Sequence, residues 1–371
     1  MASGSLGVRV LPEEQKTRSP KRVSKYNADS QTRHADDTTV LEESTPHTYE
    51  SLSRSNQALG NRYVIRDLIR PGTVTIASGR SGYGKSPLFY QAAVCVAAGV
   101  PFLDLPTTPG LAIVFDYENG SRQIQEMCDS LQQYLGLSKV PSNLKFWTPD
   151  RSGDPLGMIR RMKPVLAIID SLSAWRPACE EKNSAATATM KELRQVAKES
   201  GCAIVVIHHL RKPPSDPRQK PESLEICDVK EWLFQVRGAS ALINAADARF
   251  GIDSPCWHGA DVVVAGFARI DGPLPKMCLR RVCNQLGEPL GYERLTGLAL
   301  LDAHDASVLN QLDNQFSFKN AKFAHGRGDQ STNNLLNRLK SAGVIRQRVP
   351  RGPYEKILEK LEHDHKSPIA Q

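Results

Sequence analysis

The chain has 371 residues, 40% of them hydrophobic and 24% charged, with a formal net charge of +8 at pH 7. That length and balance suit one large globular domain plus a smaller one and exclude a disulfide-stapled mini-protein. No apolar run approaches the ~20 residues of a membrane helix and no hydrophobic signal core opens the sequence, so a cytoplasmic protein without a membrane partner is expected.

Residues 1–58 are rich in Ser, Thr, Lys, Arg, Asp and Glu with no periodic apolar pattern, and predict a disordered polar leader. TVTIAS (73–78) is a β-branched run that ends in a glycine-rich turn and passes into the helix-like LFYQAAVCVAAG (88–99). LAIVFDY (111–117), LKFWT (144–148), VLAIID (165–170) and CAIVVIHH (202–209) predict further strands. SRQIQEMCDSLQQYLG and SAATATMKELRQVAKESG (184–201) predict the helices between them. Continuous apolar strands alternating with helices indicate an α/β fold whose mainly parallel sheet is covered on both faces.

RKPPSDPRQKPESLE (211–225) reads as a mobile loop. ASALINAADARFGI (239–252) then predicts a helix, and ADVVVAGFARI (260–270) and KMCLRRV (276–282) predict strands that close the sheet near residue 300. The last segment, 301–360, carries three short helical patterns and VIRQRVPRGPYEKI (344–357), a two-stranded wing, before a disordered tail over 361–371. This is the outline of a winged helix. The expected division is therefore leader 1–58, main domain 59–300, winged-helix-like domain 301–360 and tail.

The eight cysteines include no CxxC pair, and several lie in apolar runs, so free buried thiols are expected. Cys278 and Cys283 are near enough in sequence to pair, but a zinc site would need two further ligands.

The chemistry is concentrated at strand ends. Gly79-Arg80-Ser81-Gly82-Tyr83-Gly84-Lys85-Ser86 matches GxxxxGK[ST] between a strand and a helix, the setting in which backbone N–H groups cradle phosphates. Lys85 would neutralise the β and γ phosphates of ATP, the Ser86 hydroxyl would ligate Mg²⁺, and Pro87 is tolerated in the first helical turn. Asp170, ending VLAIID, stands where a carboxylate holds the magnesium shell. Glu118 follows IVFD and could deprotonate an attacking water; strand alternation puts Asp116 on the other side. Of His208 and His209, which face opposite ways, His209 is the expected sensor of the γ-phosphate.

Phosphate loop, Glu118, Asp170, HHLRK (208–212) and VRGASAL (236–242) together resemble the RecA-like AAA family ATPases, and are most similar to the RepA-type plasmid replicative helicases. The resemblance spans roughly residues 60–295. It implies a RecA-like core, hexameric rings, ATP between neighbouring subunits, and an arginine supplied in trans. Arg237 in VRGAS matches that arginine finger, and Arg269 in FARIDGP matches a second basic position whose usual form is KxRxG. Here Phe267 replaces the lysine. Single-stranded DNA would engage the core. In the C-terminal segment Asn333, Asn334, Asn337, Arg338 and Lys340 on one helix, with Arg346, Arg348 and Arg351 on the wing, would meet duplex DNA. Residue types alone leave open an ATP-switched DNA-binding regulator with little turnover.

Overall fold

A computed structural model describes residues 48–49, 63–148, 150, 154–211, 223–225, 227–236, 238, 240–255 and 260–357. The chain divides into a unit over Met1–Gln57 and a compact unit over Ala58–Gln371. The polar leader apart from residues 48–49, the 361–371 tail and most of the 211–225 loop lie outside the described residues.

In chain order the second unit runs β1 (Val74–Gly79), α1 (Lys85–Ala98), β2 (Ala112–Asp116), α2 (Ser121–Tyr134), β3 (Leu144–Trp147), α3 (Pro155–Met162) and β4 (Leu166–Asp170). Short helices α4 (Leu172–Trp175) and α5 (Ala178–Glu181) lead to α6 (Asn183–Ser200), β5 (Ala203–His209), α7 (Val229–Trp232), α8 (Ser240–Ala245) and β6 (Ala248–Asp253). Then come β7 (Val262–Ala268), β8 (Gly272–Cys283) and β9 (Pro289–Leu295). The strands form one nine-stranded sheet of order β3-β2-β4-β5-β1-β6-β7-β8-β9. Pairing is parallel from β3 to β6 and antiparallel from β6 to β9. Strands β1, β2 and β4 are buried at every position, as continuous apolar runs covered on both faces must be.

The expected helix over 239–252 is shorter: α8 stops at Ala245 and the rest of that segment is β6, paired in parallel with β1. Ala248, Phe250 and Ile252 alternate along it, and burial beside β1 overrides the local helical preference. Helix α3 and strand β9 are absent from the sequence reading. In α3 the sequence PLGMIRRM is short and glycine-containing, yet Asp154 caps it by accepting from the backbone N–H of Leu156 and Gly157.

Helix α1 has almost no polar face, because it is covered twice. One side rests on the sheet, and the other meets β9, which the antiparallel extension brings back over α1 and α2. Gln91 on α1 is 2% exposed, and its amide is fully used there: Nε2 donates to the Tyr292 carbonyl and Oε1 accepts from the Tyr292 N–H, both at 2.8 Å. The Tyr134 hydroxyl of α2 donates to the same carbonyl at 2.9 Å.

Beyond β9, α9 (Ala303–Gln311), β10 (Gln315–Phe316), α10 (Phe318–His325), α11 (Asp329–Ser341), β11 (Ile345–Gln347) and β12 (Tyr354–Lys356) enclose their own apolar cluster around Leu309, Leu335 and Leu339. Their three strands form a separate antiparallel sheet in which β12 lies between β10 and β11. Strand β10 is the member of that sheet the sequence did not announce.

Candidate functional site

Parallel strands deliver their C-terminal ends to one edge, and the register fixes which residues meet there. Asp116 stands opposite Asp170, Ser78 opposite His208 and Gly79 opposite His209. The phosphate loop therefore opens beside the ends of β5, β4 and β2 in turn. Gly79 must be glycine for close approach: a Cβ would stand 2.5 Å from the Ile252 carbonyl oxygen of β6. Gly84 has φ 81° in the left-handed region and turns its Cα toward the Tyr292 hydroxyl.

Lys85 is 5% exposed, and its ammonium donates to the Arg80 carbonyl of its own loop at 2.8 Å. Burial lowers its pKa, while Asp170 and Glu118 pull the other way. Asp170 is 1% exposed and its pKa is raised to about 6, chiefly by burial, with a hydrogen bond from Ser86 opposing the shift. Its Oδ2 has no hydrogen-bond partner. A buried carboxylate with an orphaned oxygen beside a hydroxyl is a donor set that fits a hard divalent cation, so Ser86 and Asp170 fit Mg²⁺.

Glu118 sits just past β2. Its Oε1 accepts from the Ser171 hydroxyl and lies 3.3 Å from His209 Nε2. These contacts, His209 first, draw its pKa down to about 2. Asp116 is fully buried and otherwise engaged: it accepts from the Glu118 N–H, the Asn119 N–H and the Asn119 amide, each at 2.8 Å, and from the Tyr90 hydroxyl. Asp116 therefore shapes the turn that presents Glu118. His208 points away into the protein, with Nδ1 3.4 Å from Ser173 Oγ. Sequence reasoning missed Tyr90, Asn119 and the contact from Ser171; a polar residue on an otherwise apolar helix was the available signal for Tyr90.

Of the two candidate arginines, the structure describes Arg269. Arg269 follows Ala268, which pairs with Ala248 beside Thr75, at the opposite end of β1 from Gly79. It is exposed and donates to the Asn244 carbonyl at 2.6 Å. Arg237 lies outside the described residues. Its neighbour Val236 bridges Leu210, and the Arg211 N–H donates to the Gln235 carbonyl at 2.8 Å, so that segment is tied to the residues directly after His209.

In the C-terminal helices, Asn333, Asn334 and Asn337 are exposed on α11. Arg338 is committed to Asp305 of α9, with Nε at 2.5 Å and Nη2 at 2.7 Å. Arg346 and Arg348 both pair with Glu355, and Lys340 lies over the Tyr354 ring. Among the described residues no cluster of His, Cys, Asp and Glu forms a zinc-type site, the cysteines are free thiols, and no helix is long and apolar enough to cross a membrane.

Residues 41–215 match the family model described as an AAA domain. No curated protein matches the chain. Among solved structures, the crystal structure of the RadB recombinase is similar with a TM-score of 0.41 and 15% identity, over 58% of this chain and 89% of that one, a likeness too low to carry over any activity. The phosphate loop, Glu118 and Asp170, which converge at one end of the mostly parallel sheet, all lie within the 41–215 segment that is similar to the AAA domain model.

Proposed function

We propose that the protein is a Mg²⁺-dependent ATPase of the RepA helicase type that hydrolyses ATP at interfaces between identical subunits and uses the movement on DNA. The observation that carries this reading is Glu118, held ionised by His209 and Ser171 at the same edge as Lys85. Lys85 would bind the phosphate tail, and Mg²⁺ held by Ser86 and Asp170 would supply positive charge at the phosphate oxygens. Glu118 orients a water; as its oxygen bonds to the γ-phosphorus and the bond to ADP breaks, the proton passes to a carboxylate oxygen. A pKa of about 2 makes Glu118 a weak base while His209 and Ser171 hold it. Release of those contacts raises its basicity, which couples proton transfer to movement of His209 and of Leu210 and Arg211, which follow it and are tied to Val236 and Gln235.

Arg269 lies at the far end of β1 from its own loop, which supports a role toward a neighbouring subunit's phosphates, as in a hexameric ring. Arg237 is proposed as the arginine finger on its VRGAS context. The three helices and the β11–β12 hairpin support a winged helix at the C-terminus, and the asparagine face of α11 favours a second reading as an ATP-switched DNA-binding regulator. Single-turnover hydrolysis with and without single-stranded DNA, run beside mass measurement of the assembly, separates the two. The motor reading expects DNA to accelerate turnover in the assembled state and Glu118→Gln to abolish it while ATP still binds. An unchanged rate with no strand displacement overturns the motor.

A further inference from the structure

The glycine at position 84 does more than turn the loop. Its Cα faces the Tyr292 hydroxyl so closely that a Cβ would overlap the phenol. Tyr292 is 3% exposed and cannot move freely, because Gln91 binds both its N–H and its carbonyl. Opposite it on β8 stands Arg281, its partner in the β8–β9 register. The Arg281 guanidinium carbon lies 6.0 Å from the centre of the Tyr292 ring, near enough that its charge opposes the upward push of burial on the phenol pKa. Arg281 itself is exposed. The chain thus sets a solvent-facing cation beside the tyrosine whose hydroxyl abuts Gly84 of its own phosphate loop.

The guanidinium is exposed, and among the described residues no ion pair holds it: the Asp261 carboxylate accepts from the Arg281 backbone N–H instead. Its charge is thus placed to receive a ligand anion arriving beside Gly84. We propose that Arg281, positioned by Tyr292, is a further contact in cis for the phosphate tail of the nucleotide bound at Gly79–Ser86. This rests on the reading of that loop as an ATP site. Arginine suits the task because its donors form a fixed fork, so the guanidinium can stay against the tyrosine ring while its N–H groups reach a phosphate oxygen. Tyr292 in turn ties the contact to α1, the helix that carries Lys85 and Ser86, so the loop and the arginine move as one body.

The test is equilibrium binding of ATP, ADP and adenosine to the full chain, by competition with a fluorescent ATP analogue, for wild type, Arg281→Ala, Arg281→Lys and Lys85→Ala. A charge-assisted contact predicts that Arg281→Ala weakens ATP about tenfold, ADP less and adenosine not at all, with partial recovery in Arg281→Lys. Tyr292→Phe, which keeps the ring and its packing, should reproduce part of the loss. The proposal is overturned if Arg281→Ala binds ATP within about twofold of wild type while Lys85→Ala does not bind. Equal losses for ATP and adenosine also overturn it, since they mark a distorted pocket. If wild type and Lys85→Ala bind ATP alike, the reading of the loop itself fails.

Discussion

Asp170 is the residue at which burial and the proposed role in holding Mg²⁺ oppose each other most directly. Its carboxyl is buried beside Asp116 and Glu118, and its pKa moves from 3.8 up to about 6. A folded-state pKa above the unfolded value means that the native protein favours the protonated form. The stability it contributes is therefore complete below about pH 3.8 and is lost as the pH rises through 6. Without magnesium, urea unfolding at pH 4 and pH 7 should show wild type losing on the order of 3 kcal/mol more than Asp170→Asn over that interval. Added Mg²⁺ should restore the wild type at pH 7. Equal slopes for the two proteins would remove Asp170 as the source. This site was legible in the sequence as to identity, because GxxxxGKS and a strand-end aspartate are local signals. What was not legible was that Asp116 is fully engaged in shaping the turn before Glu118, since its partners Tyr90 and Asn119 come from another helix and from the turn itself.

At the scale of elements, α11 shows how the same residue types divide between folding and recognition. Arg338 and Asn337 were read together as DNA contacts, yet Arg338 holds the buried Asp305 of α9 through two hydrogen bonds. Truncating Arg338 leaves that carboxylate without its partner, at a cost discounted for the half-exposed guanidinium to about 1–3 kcal/mol. Arg338→Ala should accordingly lower the melting temperature of the protein. Asn337→Ala should leave it within about 0.5 kcal/mol of wild type while weakening DNA binding. Thermal unfolding and DNA titration on both variants check this, and a DNA defect confined to the unfolding-prone variant would take α11 out of DNA contact. Element boundaries followed the sequence where a run was long and periodic, as in β1, β5 and α6. They failed at 239–252, where six residues of helix are followed two residues later by β6 and the partner strand β1 is more than 160 residues earlier.

For the whole molecule, the role proposed for Arg269 needs a second chain. It stands at the end of β1 remote from the loop that Gly79 opens, so a part in hydrolysis as proposed would require a second subunit. Mixing inactive Lys85→Ala with impaired Arg269→Ala protein should then restore a fraction of ATPase activity, because some interfaces combine an intact loop with an intact arginine. Absence of complementation, with mixed assemblies verified by mass, would place Arg269 outside the catalytic interface.

Sequence by itself determined the phosphate loop, the alternation of buried strands with helices, and the strand-end carboxylates, because each depends on residues within one turn or one strand of each other. Only the tertiary structure decided which of those strands are neighbours, that β9 folds back over α1, and that Tyr292 reaches Gly84 from some 200 residues away. The reason is physical: chain stiffness and backbone hydrogen bonding act locally and leave a local pattern, whereas the closure of a sheet on a helix is settled by burial of surfaces whose partners lie far apart in the chain.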